Sequence, residues 1–395
     1  MPTLGIVNIG TIVSGELAQG RLAGDSILVE NGRIARIGDV SQTGAADADV
    51  VIDARGTTVM PGLIDSHCHV VLGDYTPRQK TVDFLDSYVH GGITSVISAG
   101  EIHAPGRPRD AAGLKALAVA ARACFQNFRP TGMKVHAGSL IIEPTLQEED
   151  FREVAERGVW LAKYGFGAFA DPADGEPQVR WAQKYGLKVM CHSGGASIPG
   201  SQPITAEHLM RLRPDVCGHA NGGPTALDDA GVRQLVTATD LVLQIVQAGN
   251  LRSALQIIQL AREHGALPRI ILASDTPTGT GVMPLGVLKT ICELSALAGL
   301  PPEQAIALAT GNNARVWGLE AGVVAVGRPA DLVVLDAPWG SVATDALGAI
   351  ARGDIPGISA VIIDGQVRTL RSRNTPAATR LAAVHPPLPH LGGGH

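Results

Sequence analysis

Apolar and polar positions along the middle of the chain follow a pattern that predicts strands and helices in turn. Short apolar runs, each followed by a loop containing Gly or Pro, predict strands at Thr58–Val70, Ile93–Ala99, Lys134–Ile141, Val159–Phe166, Leu187–His192, Val216–Ala220, Leu241–Gln247 and Arg269–Asp275. Helical periodicity predicts helices between or after these strands, at Glu148–Glu156, Glu176–Tyr185, Thr205–Leu212, Ala254–His264 and Gly286–Ala298.

This alternation predicts an α/β fold, and more specifically a (β/α)8 TIM barrel, which needs about 250 residues. The rival architecture is a doubly wound open sheet. That fold carries a Gly-rich phosphate-binding loop after its first strand, and this sequence has none there. The barrel is therefore the favoured arrangement.

Both ends of the chain show a different pattern, that of short strands joined by tight turns. Asn31-Gly32 and Asp364-Gly365 each separate two strand-like runs, and such dipeptides are typical of two-residue hairpin turns. Because each end needs a partner to bury its apolar face, the two ends are predicted to form one discontinuous β-sandwich beside the barrel. The predicted boundaries are 1–56 and 325–372 for the sandwich, 57–324 for the barrel and 373–395 for a C-terminal tail, of which His385–His395 are expected to be flexible.

Composition narrows the possible functions and locations. Acidic residues outnumber basic ones by 37 to 32, and the net charge of −5 leaves no basic excess for nucleic acid or an anionic membrane surface. No apolar run reaches the ~18 residues of a membrane helix, and the first residues lack the pattern of a secretion signal. The cysteines are scattered without a Cys-x-x-Cys pair, which indicates a reducing compartment. We therefore expect a cytoplasmic protein that binds neither nucleic acid nor membrane.

Side chains able to bind a metal occur at the ends of five predicted barrel strands. In such barrels the active site lies where the carboxyl ends of the strands meet. His67 and His69 are two residues apart, so they point to the same face of the first strand and could hold one cation. The remaining candidates lie at the ends of strands four, five, six and eight: Lys163, His192, His219 and Asp275.

Each of these residues also has an ordinary structural explanation when it is taken alone. A single histidine at a strand end is most often hydrogen-bonded within the core. Lys163 could extend to the surface, and Asp275 could cap a helix. We interpret all six as one functional site because the predicted barrel would bring them to the same mouth.

Residues in the loops around this mouth are candidates for substrate contacts. Side chains in such loops can reach a ligand at the mouth, and Gly-rich loops let the backbone approach it closely. The candidates are Arg78, Lys80, His103, Arg107, Asn221 and Thr276. For the cationic residues, solvated loop charges are an equally good explanation.

Two motifs resemble those of the amidohydrolase superfamily. The first is Pro61-Gly62-Leu63-Ile64-Asp65-Ser66-His67-Cys68-His69, which is similar to the opening barrel strand, and the second is Gly322–Asp336, which is similar to the return into a small β-sandwich. The resemblance covers the chain from Asp25 to about Gly365. It implies a metal-dependent hydrolase with two divalent metal ions, whose ligands map onto His67, His69, Lys163, His192, His219 and Asp275.

The resemblance also implies how such a site would work. His67, His69 and Asp275 would hold one metal, His192 and His219 would hold the other, and a carboxylated Lys163 would bridge them. A bridging hydroxide would attack an amide carbonyl, and Asp275 would be the catalytic residue that passes the proton to the leaving nitrogen. Zinc is the metal expected first, with iron or manganese as alternatives, and a homo-oligomer (dimer or tetramer) is usual in the family.

More narrowly, the chain resembles the bacterial enamidases of anaerobic nicotinate degradation. The similar stretches are Gly73–Lys80, Gly194–Gly200, Asn221–Thr225 and Gly353–Ser359. Enamidases carry Glu at the bridging position, where this chain has Lys163. The resemblance implies a small cyclic amide as substrate. The alternatives are a hydantoinase-, dipeptidase- or lactonase-like hydrolase, a mononuclear deaminase of the same fold and, least favoured, a metal-free scaffold.

Overall fold

The computed structural model describes residues 2–69, 81–101, 106–196, 200–222, 226–277 and 282–388 of the chain. Its strands are β1 (Leu4–Val7), β2 (Thr11–Val13), β3 (Arg21–Leu22), β4 (Ser26–Glu30), β5 (Arg33–Gly38), β6 (Val50–Asp53), β7 (Thr58–Pro61), β8 (Leu63–Cys68), β9 (Ile93–Ser98), β10 (Lys134–His136), β11 (Ser139–Ile141), β12 (Leu161–Tyr164), β13 (Lys188–Cys191), β14 (Val216–Cys217), β15 (Val242–Val246), β16 (Ile270–Ala273), β17 (Leu332–Asp336), β18 (Gly357–Ile363), β19 (Gln366–Leu370) and β20 (Ala383–His385).

The helices are α1 (Val40–Thr43), α2 (Thr81–Val89), α3 (Ala111–Asn127), α4 (Glu148–Glu156), α5 (Glu176–Lys184), α6 (Ala206–Leu212), α7 (Asp229–Ala238), α8 (Leu251–Glu263), α9 (Gly286–Ala298), α10 (Pro302–Ala309), α11 (Gly311–Trp317) and α12 (Ala346–Arg352). The five predicted helices are found as α4, α5, α6, α8 and α9, and seven more occur in the described residues. Short 3-10 turns cover Ala45–Asp47, Pro130–Gly132, Pro172–Gly175 and Leu267–Arg269. Among the described residues, no helix combines the length and the apolar character needed to cross a bilayer.

The strands β8 to β16 form the predicted barrel of parallel strands, and the TIM-barrel fold class is confirmed. They occur as two runs, β10-β9-β8 and β11-β12-β13-β14-β15-β16, in which every neighbouring pair is parallel. Helices between the strands pack on the outside; α3 contacts β10 and β11, and α9 contacts β16. Both faces of each strand are therefore buried, which explains their nearly continuous apolar sequences.

Hydrogen bonds between the first and last strands bring two candidate ligand segments together. The Asp275 amide donates to the His67 carbonyl at 2.8 Å, and the His69 amide donates to the Thr276 carbonyl at 2.8 Å. On the other side of the barrel, a parallel bridge from Glu101 to Leu140 joins the two runs of strands. The ring of strands is thus completed at its carboxyl end, where an active site is expected.

The small domain is a sandwich of two sheets drawn from both ends of the chain. One sheet has the order β20-β6-β1-β4-β5, and the other has the order β19-β18-β17-β7-β2-β3. Both sheets contribute to one apolar core, which includes Ile6, Ile27, Ile52, Val59, Val334 and Ile362. The two predicted hairpins are confirmed, because β4–β5 and β18–β19 are antiparallel pairs joined at Asn31-Gly32 and Asp364-Gly365 with positive φ at all four residues.

The predicted strand Thr58–Val70 is in fact two strands in different domains. Thr58–Pro61 lies in the sandwich, where it pairs with Leu332–Asp336, and Leu63–Cys68 is the first barrel strand. The switch occurs at Gly62, where a Cβ atom would lie only 2.2 Å from Oγ1 of Thr94. An apolar run with no polar interruption does not reveal such a change of sheet, which is why the sequence predicted one strand.

Residues 373–395 were predicted to form a tail, and this prediction is wrong for the part that ends at His385. Ala383–His385 pairs antiparallel with β6 and forms the edge of a sandwich sheet. Arg380 donates to both carboxylate oxygens of the buried Asp336, at 2.8 and 2.7 Å. The apolar run Leu381–Val384 was a signal that the sequence analysis did not use, and Ala382 and Val384 in it pack against the sandwich core.

Candidate metal centre

The six candidate ligands lie at the carboxyl ends of the barrel strands. Their positions follow from the strand ends: His67 is within β8 and His69 just after it, Lys163 is within β12, and His192, His219 and Asp275 follow β13, β14 and β16. Lys163 and His67 are completely buried, and the other histidines are at most 9% exposed. Residues up to 208 positions apart along the chain are thus brought to one end of the barrel, since 275 − 67 = 208.

Three of the side chains meet at one carboxylate oxygen. Oδ1 of Asp275 lies 3.2 Å from Nε2 of His67 and 3.1 Å from Nε2 of His69. The ligand atoms of these three residues lie within 4.8 Å of one another, as donors to a single ion would. Two imidazoles and a carboxylate are a donor set that zinc, iron and manganese all accept.

The other three side chains surround this group. The ring centroids of His192 and His219 are 4.5 Å apart, and the His219 ring lies 5.4 Å from that of His67. Nζ of Lys163 lies 3.4 Å from Nε2 of His67. The sequence-predicted ligands therefore form one cluster around His67.

Unpartnered nitrogen atoms show that this cluster fits metal ions. Nε2 of His192 lies 2.6 Å from the carbonyl oxygen of Gly195, which can only accept, so this nitrogen carries the proton. Nδ1 of His192 then has a free lone pair, and it is buried without a hydrogen-bond partner among the described residues. Nδ1 of His219 is likewise buried without a hydrogen-bond partner among the described residues. Because buried polar atoms are nearly always satisfied, two such atoms side by side indicate a missing ligand.

Burial keeps the histidines in the neutral form that binds metals. It lowers the pKa of His67 to about 4 and that of His192 to about 4, and in both cases the charge of Lys163 adds to the effect. Burial also lowers the pKa of His219 well below its usual value. At neutral pH these rings therefore offer a lone pair rather than a second proton.

Burial determines the pKa of Lys163, whereas neighbouring side chains determine the pKa of Asp275. Burial acts to raise the pKa of Asp275, but its interactions with His67 and His69 outweigh this and hold the pKa well below its usual value. For Lys163, burial dominates and lowers the pKa to about 8. The carboxylate is thus ionised at neutral pH, while a fraction of the amine is neutral and nucleophilic.

The backbone is strained at two of the candidate ligands. His219 has a φ of 37° and Asp275 a φ of 60°, both in the left-handed region that is uncommon for residues other than glycine. Such conformations persist where the surrounding structure imposes them, and they cluster at functional sites. Here they turn the side chains of strands six and eight towards the cluster.

Two buried residues that support the cluster were missed by the sequence analysis. Asp65 accepts hydrogen bonds from the amides of Ser274 (2.9 Å) and His67 (3.3 Å), and so ties the first strand to the eighth. Gln244, in the middle of β15, lies 2.6 Å from Nδ1 of His67. A signal existed for both: Asp65 has the same parity as His67, and Gln244 is the one polar residue in the apolar run 241–246.

Three of the predicted substrate contacts, Arg78, Lys80 and His103, lie outside the described residues. The other three have partners within the protein, and their contact with a substrate stays a prediction. Arg107 is buried and donates to Glu143 at 2.6 Å and to the Phe166 carbonyl at 2.6 Å. Its position in a Gly- and Pro-rich loop gave no indication of this burial, because Glu143 is 36 residues away.

Asn221 and Thr276 are also engaged by neighbouring residues. The amide of Asn221 accepts from the Val246 backbone at 2.8 Å and donates to the Val246 carbonyl at 3.0 Å, so it joins the ends of strands six and seven. The hydroxyl of Thr276 contacts those of Tyr88 and Ser274. Both are polar residues that complete the rim of the barrel.

Comparisons with known proteins agree with this geometry. A family model described as the amidohydrolase family matches residues 58–368. Enamidase of Eubacterium barkeri is 50% identical over 380 residues, which cover 96% of this chain and 98% of that protein. Adenine deaminase of Deinococcus radiodurans is 27% identical over 325 residues, which cover 78% of this chain and 55% of that protein.

Solved structures show the same relationship. A crystal structure of enamidase matches with a TM-score of 0.92 and 49% identity, covering 97% of this chain and 100% of that chain. A putative prolidase from Bifidobacterium longum matches with a TM-score of 0.66 and 20% identity, covering 96% of each chain, and this similarity concerns the fold alone.

Proposed function

The chain belongs to the amidohydrolase family, and on that basis we propose that it is a binuclear metal-dependent hydrolase that opens a cyclic amide at its C–N bond, with an enamidase-like activity. The observation that carries the proposal is the cluster of six ligand-capable side chains at the mouth of the barrel. The 50% identity to enamidase of Eubacterium barkeri supports the choice of a cyclic amide.

The proposed ligand set divides into two groups that share Lys163. His67, His69 and Asp275 would hold one ion, and His192 and His219 would hold the other. A carboxylated Lys163 would provide one oxygen to each ion. Zinc is the proposed metal, with iron or manganese as alternatives, because imidazole and carboxylate donors suit all three. When bound, such ions lower the pKa of a water molecule towards neutrality and polarise a carbonyl group.

Asp275 is the proposed catalytic residue. Its carboxylate stays ionised, because His67 and His69 hold its pKa well below the usual value. It can therefore accept the proton that an attacking water molecule releases, and then return it to the nitrogen that leaves the amide carbon. The backbone at Asp275, with φ of 60°, fixes the direction of the carboxylate before substrate arrives.

The main alternative is a deaminase that uses one metal. The 27% identity to adenine deaminase of Deinococcus radiodurans keeps this alternative open. A lysine buried beside the ligand histidines favours the binuclear hydrolase, because a single metal held by His67, His69 and Asp275 has no need of it.

We propose two further properties of the protein, a cytoplasmic location and assembly into a dimer or tetramer. None of the five cysteines, which all lie in the described residues, forms a disulfide bond, and four of them are buried, as is usual in a reducing compartment. Trp339 is 80% exposed and the nearby Val342 is 81% exposed, and this apolar surface is of the kind that subunit contact buries. Light scattering of the purified protein measures the assembly directly.

The proposed function is tested by elemental analysis combined with a substrate screen. Freshly purified protein should contain about two equivalents of transition metal per chain. It should also release an open-chain acid from six-membered cyclic amides, with and without a ring carboxylate, and no ammonia from adenine. One metal equivalent together with ammonia release from adenine would support the deaminase instead, and protein that binds no metal would refute both.

A further inference from the structure

Gln244 is a buried polar side chain that contacts two of the proposed ligands. It lies in the middle of β15 and is completely buried inside the barrel. Its neighbours in the strand are apolar, so the amide must find its hydrogen bonds elsewhere in the barrel. It finds them at Ser66, His67 and His219, on the first and sixth strands.

Two backbone groups determine which way the amide of Gln244 points. The Ser66 carbonyl oxygen can only accept, and it lies 3.2 Å from Nε2 of Gln244. The backbone nitrogen of His219 can only donate, and it lies 3.4 Å from Oε1. Oγ of Ser66, at 2.9 Å, is a second acceptor for Nε2. Exchanging the nitrogen and oxygen would bring donor against donor and acceptor against acceptor, so Oε1 faces His67.

This orientation fixes the position of the proton on the His67 ring. Oε1 of Gln244 lies 2.6 Å from Nδ1 of His67, and an amide oxygen has no proton to donate. Nδ1 must therefore carry the proton, and the neutral ring keeps its lone pair on Nε2. That atom is the one that lies 3.2 Å from Asp275 and 3.4 Å from Lys163. The lone pair thus points into the proposed metal site.

We propose that Gln244 is a positioning residue, which sets the tautomer of His67 and directs its Nε2 lone pair at the metal. The same oxygen holds the backbone of His219, so one side chain aligns a ligand of each proposed ion. Partners of this kind typically change metal affinity by about 10–100-fold when they are removed. The inference rests on the proposed metal site but not on the identity of the substrate.

Metal affinity of matched variants tests this role. In apo protein prepared with a chelator, zinc affinity is measured by competition with a chromophoric chelator. Gln244→Met keeps the size of the side chain but loses the acceptor, and its zinc dissociation constant at one site should rise by about 10–100-fold. Gln244→Glu, protonated in this buried position, keeps one donor and one acceptor. Its zinc dissociation constant should rise by less than about tenfold.

Gln247→Met is the matched control, because it makes the same change three residues later, just after the same strand. Gln247 accepts from Oγ1 of Thr290 at 2.6 Å, and no described contact joins it to a proposed ligand. The zinc affinity of the Gln247→Met variant should stay within about twofold of that of the unaltered protein. Equal affinities for Gln244→Met and Gln247→Met would overturn the role of Gln244. An unaltered protein that binds no zinc would instead refute the proposed function.

The tautomer is measured independently by NMR of apo protein labelled with ¹⁵N-histidine. The signal of His67, assigned by its loss in His67→Asn, should show the proton on Nδ1 in the unaltered protein and a mixture of tautomers in Gln244→Met. A proton on Nε2 of His67 in the unaltered protein would overturn the proposal. This measurement decides the matter even if Gln244→Met fails to fold.

Discussion

Nζ of Lys163 lies 3.4 Å from Nε2 of His67, and neither side chain is exposed to water. Within the described part of the chain, the lysine forms no ion pair with a carboxylate. A buried cation beside a ligand histidine is unfavourable, and burial accordingly lowers the pKa of Lys163 to about 8. Carboxylation would replace this positive charge with a negative one, which suits two neighbouring cations.

Replacement of Lys163 should therefore separate metal binding from folding. Lys163→Ala should lose at least one metal equivalent and reduce activity by about 10³-fold or more, because the two proposed ions lose their shared ligand. Lys163→Glu should keep both metals, since glutamate provides the same bridging oxygens. Elemental analysis and circular dichroism check both variants. Lys188→Ala, which removes a half-exposed lysine from the next strand, is the control and should retain both metals.

Recovery of the metal site should depend on carbon dioxide and on pH. Only a neutral amine reacts with CO₂, and with a pKa of about 8 roughly a tenth of Lys163 is neutral at pH 7 and about nine-tenths at pH 9. Reconstitution of apo protein with zinc should therefore be faster at pH 9 than at pH 7, and slower in CO₂-free buffer. The rate is followed as recovered activity. If Lys163→Glu showed the same CO₂ dependence, the carbamate would be excluded as its cause.

Loss of the Asp275 carboxylate should slow the chemical step. Asp275→Asn keeps the shape of the side chain but cannot accept a proton at neutral pH. The kcat for a cyclic amide should fall by about 10²–10⁴-fold, the usual contribution of a general base. Metal content is measured on the same sample, so that a lost ligand is distinguished from a lost base. A variant with two metals and an unchanged kcat would show that another group moves the proton.

The sequence predicted the parts of this site that follow from strand periodicity. His67 and His69 share a face because they are two residues apart, and Asp275 lies at a strand end that the barrel brings back to them. Contacts that depend on distant side chains were not predictable in the same way. Gln244 meets His67 across 177 residues, and only its polarity in an apolar strand hinted at a role.

The attachment of the C-terminal segment and the change of sheet at Gly62 were also missed. The strand Ala383–His385 is held by backbone pairing, and the nearby Arg380 by Asp336, neither of which leaves periodicity in the sequence. The change of sheet at Gly62 occurs within one apolar run. In each of these cases the local sequence fits the structure, but the partner that decides the arrangement is far away along the chain.

The buried carboxyl group of Glu101 should make stability depend on pH. Burial raises its pKa from 4.5 to about 7, although Oε1 accepts from the Gly138 amide at 2.9 Å. Because the folded pKa is above the unfolded one, this group's contribution is fully present below pH 4.5 and is lost as the pH rises through about 7. Glu101→Gln cannot ionise, so it should gain stability relative to the unaltered protein by up to about 3 kcal/mol between pH 5 and pH 8.

The gain of Glu101→Gln is measured as a difference in the midpoint of thermal unfolding at pH 5 and pH 8. The control is Glu263→Gln, at an exposed position of α8, whose difference from the unaltered protein should not change with pH. A constant difference for Glu101→Gln as well would mean that this carboxylate is ionised in the folded protein throughout the range.

Arg107 and Glu143 form a buried ion pair that joins the loops after strands two, three and four. The guanidinium also donates to the Phe166 carbonyl, and the second oxygen of Glu143 accepts from the Ala168 amide at 2.8 Å. The ring of Phe166 lies 5.5 Å from that of His192, so the pair supports the wall of the metal centre. These contacts give Arg107 a structural role, and its contact with a substrate stays a prediction.

Removal of one partner of this pair should therefore affect stability more than substrate binding. Arg107→Met leaves the Glu143 carboxylate buried without a counterion, which should destabilise the protein by about 3–5 kcal/mol. The double replacement of Arg107 and Glu143 by Met should recover much of that loss, because no charge is left uncompensated. Thermal unfolding measures the recovery. Kinetics with cyclic amides that carry or lack a carboxylate test whether Arg107 contacts the substrate. A KM raised only for the carboxylated compounds, in a variant of normal stability, would show that it does.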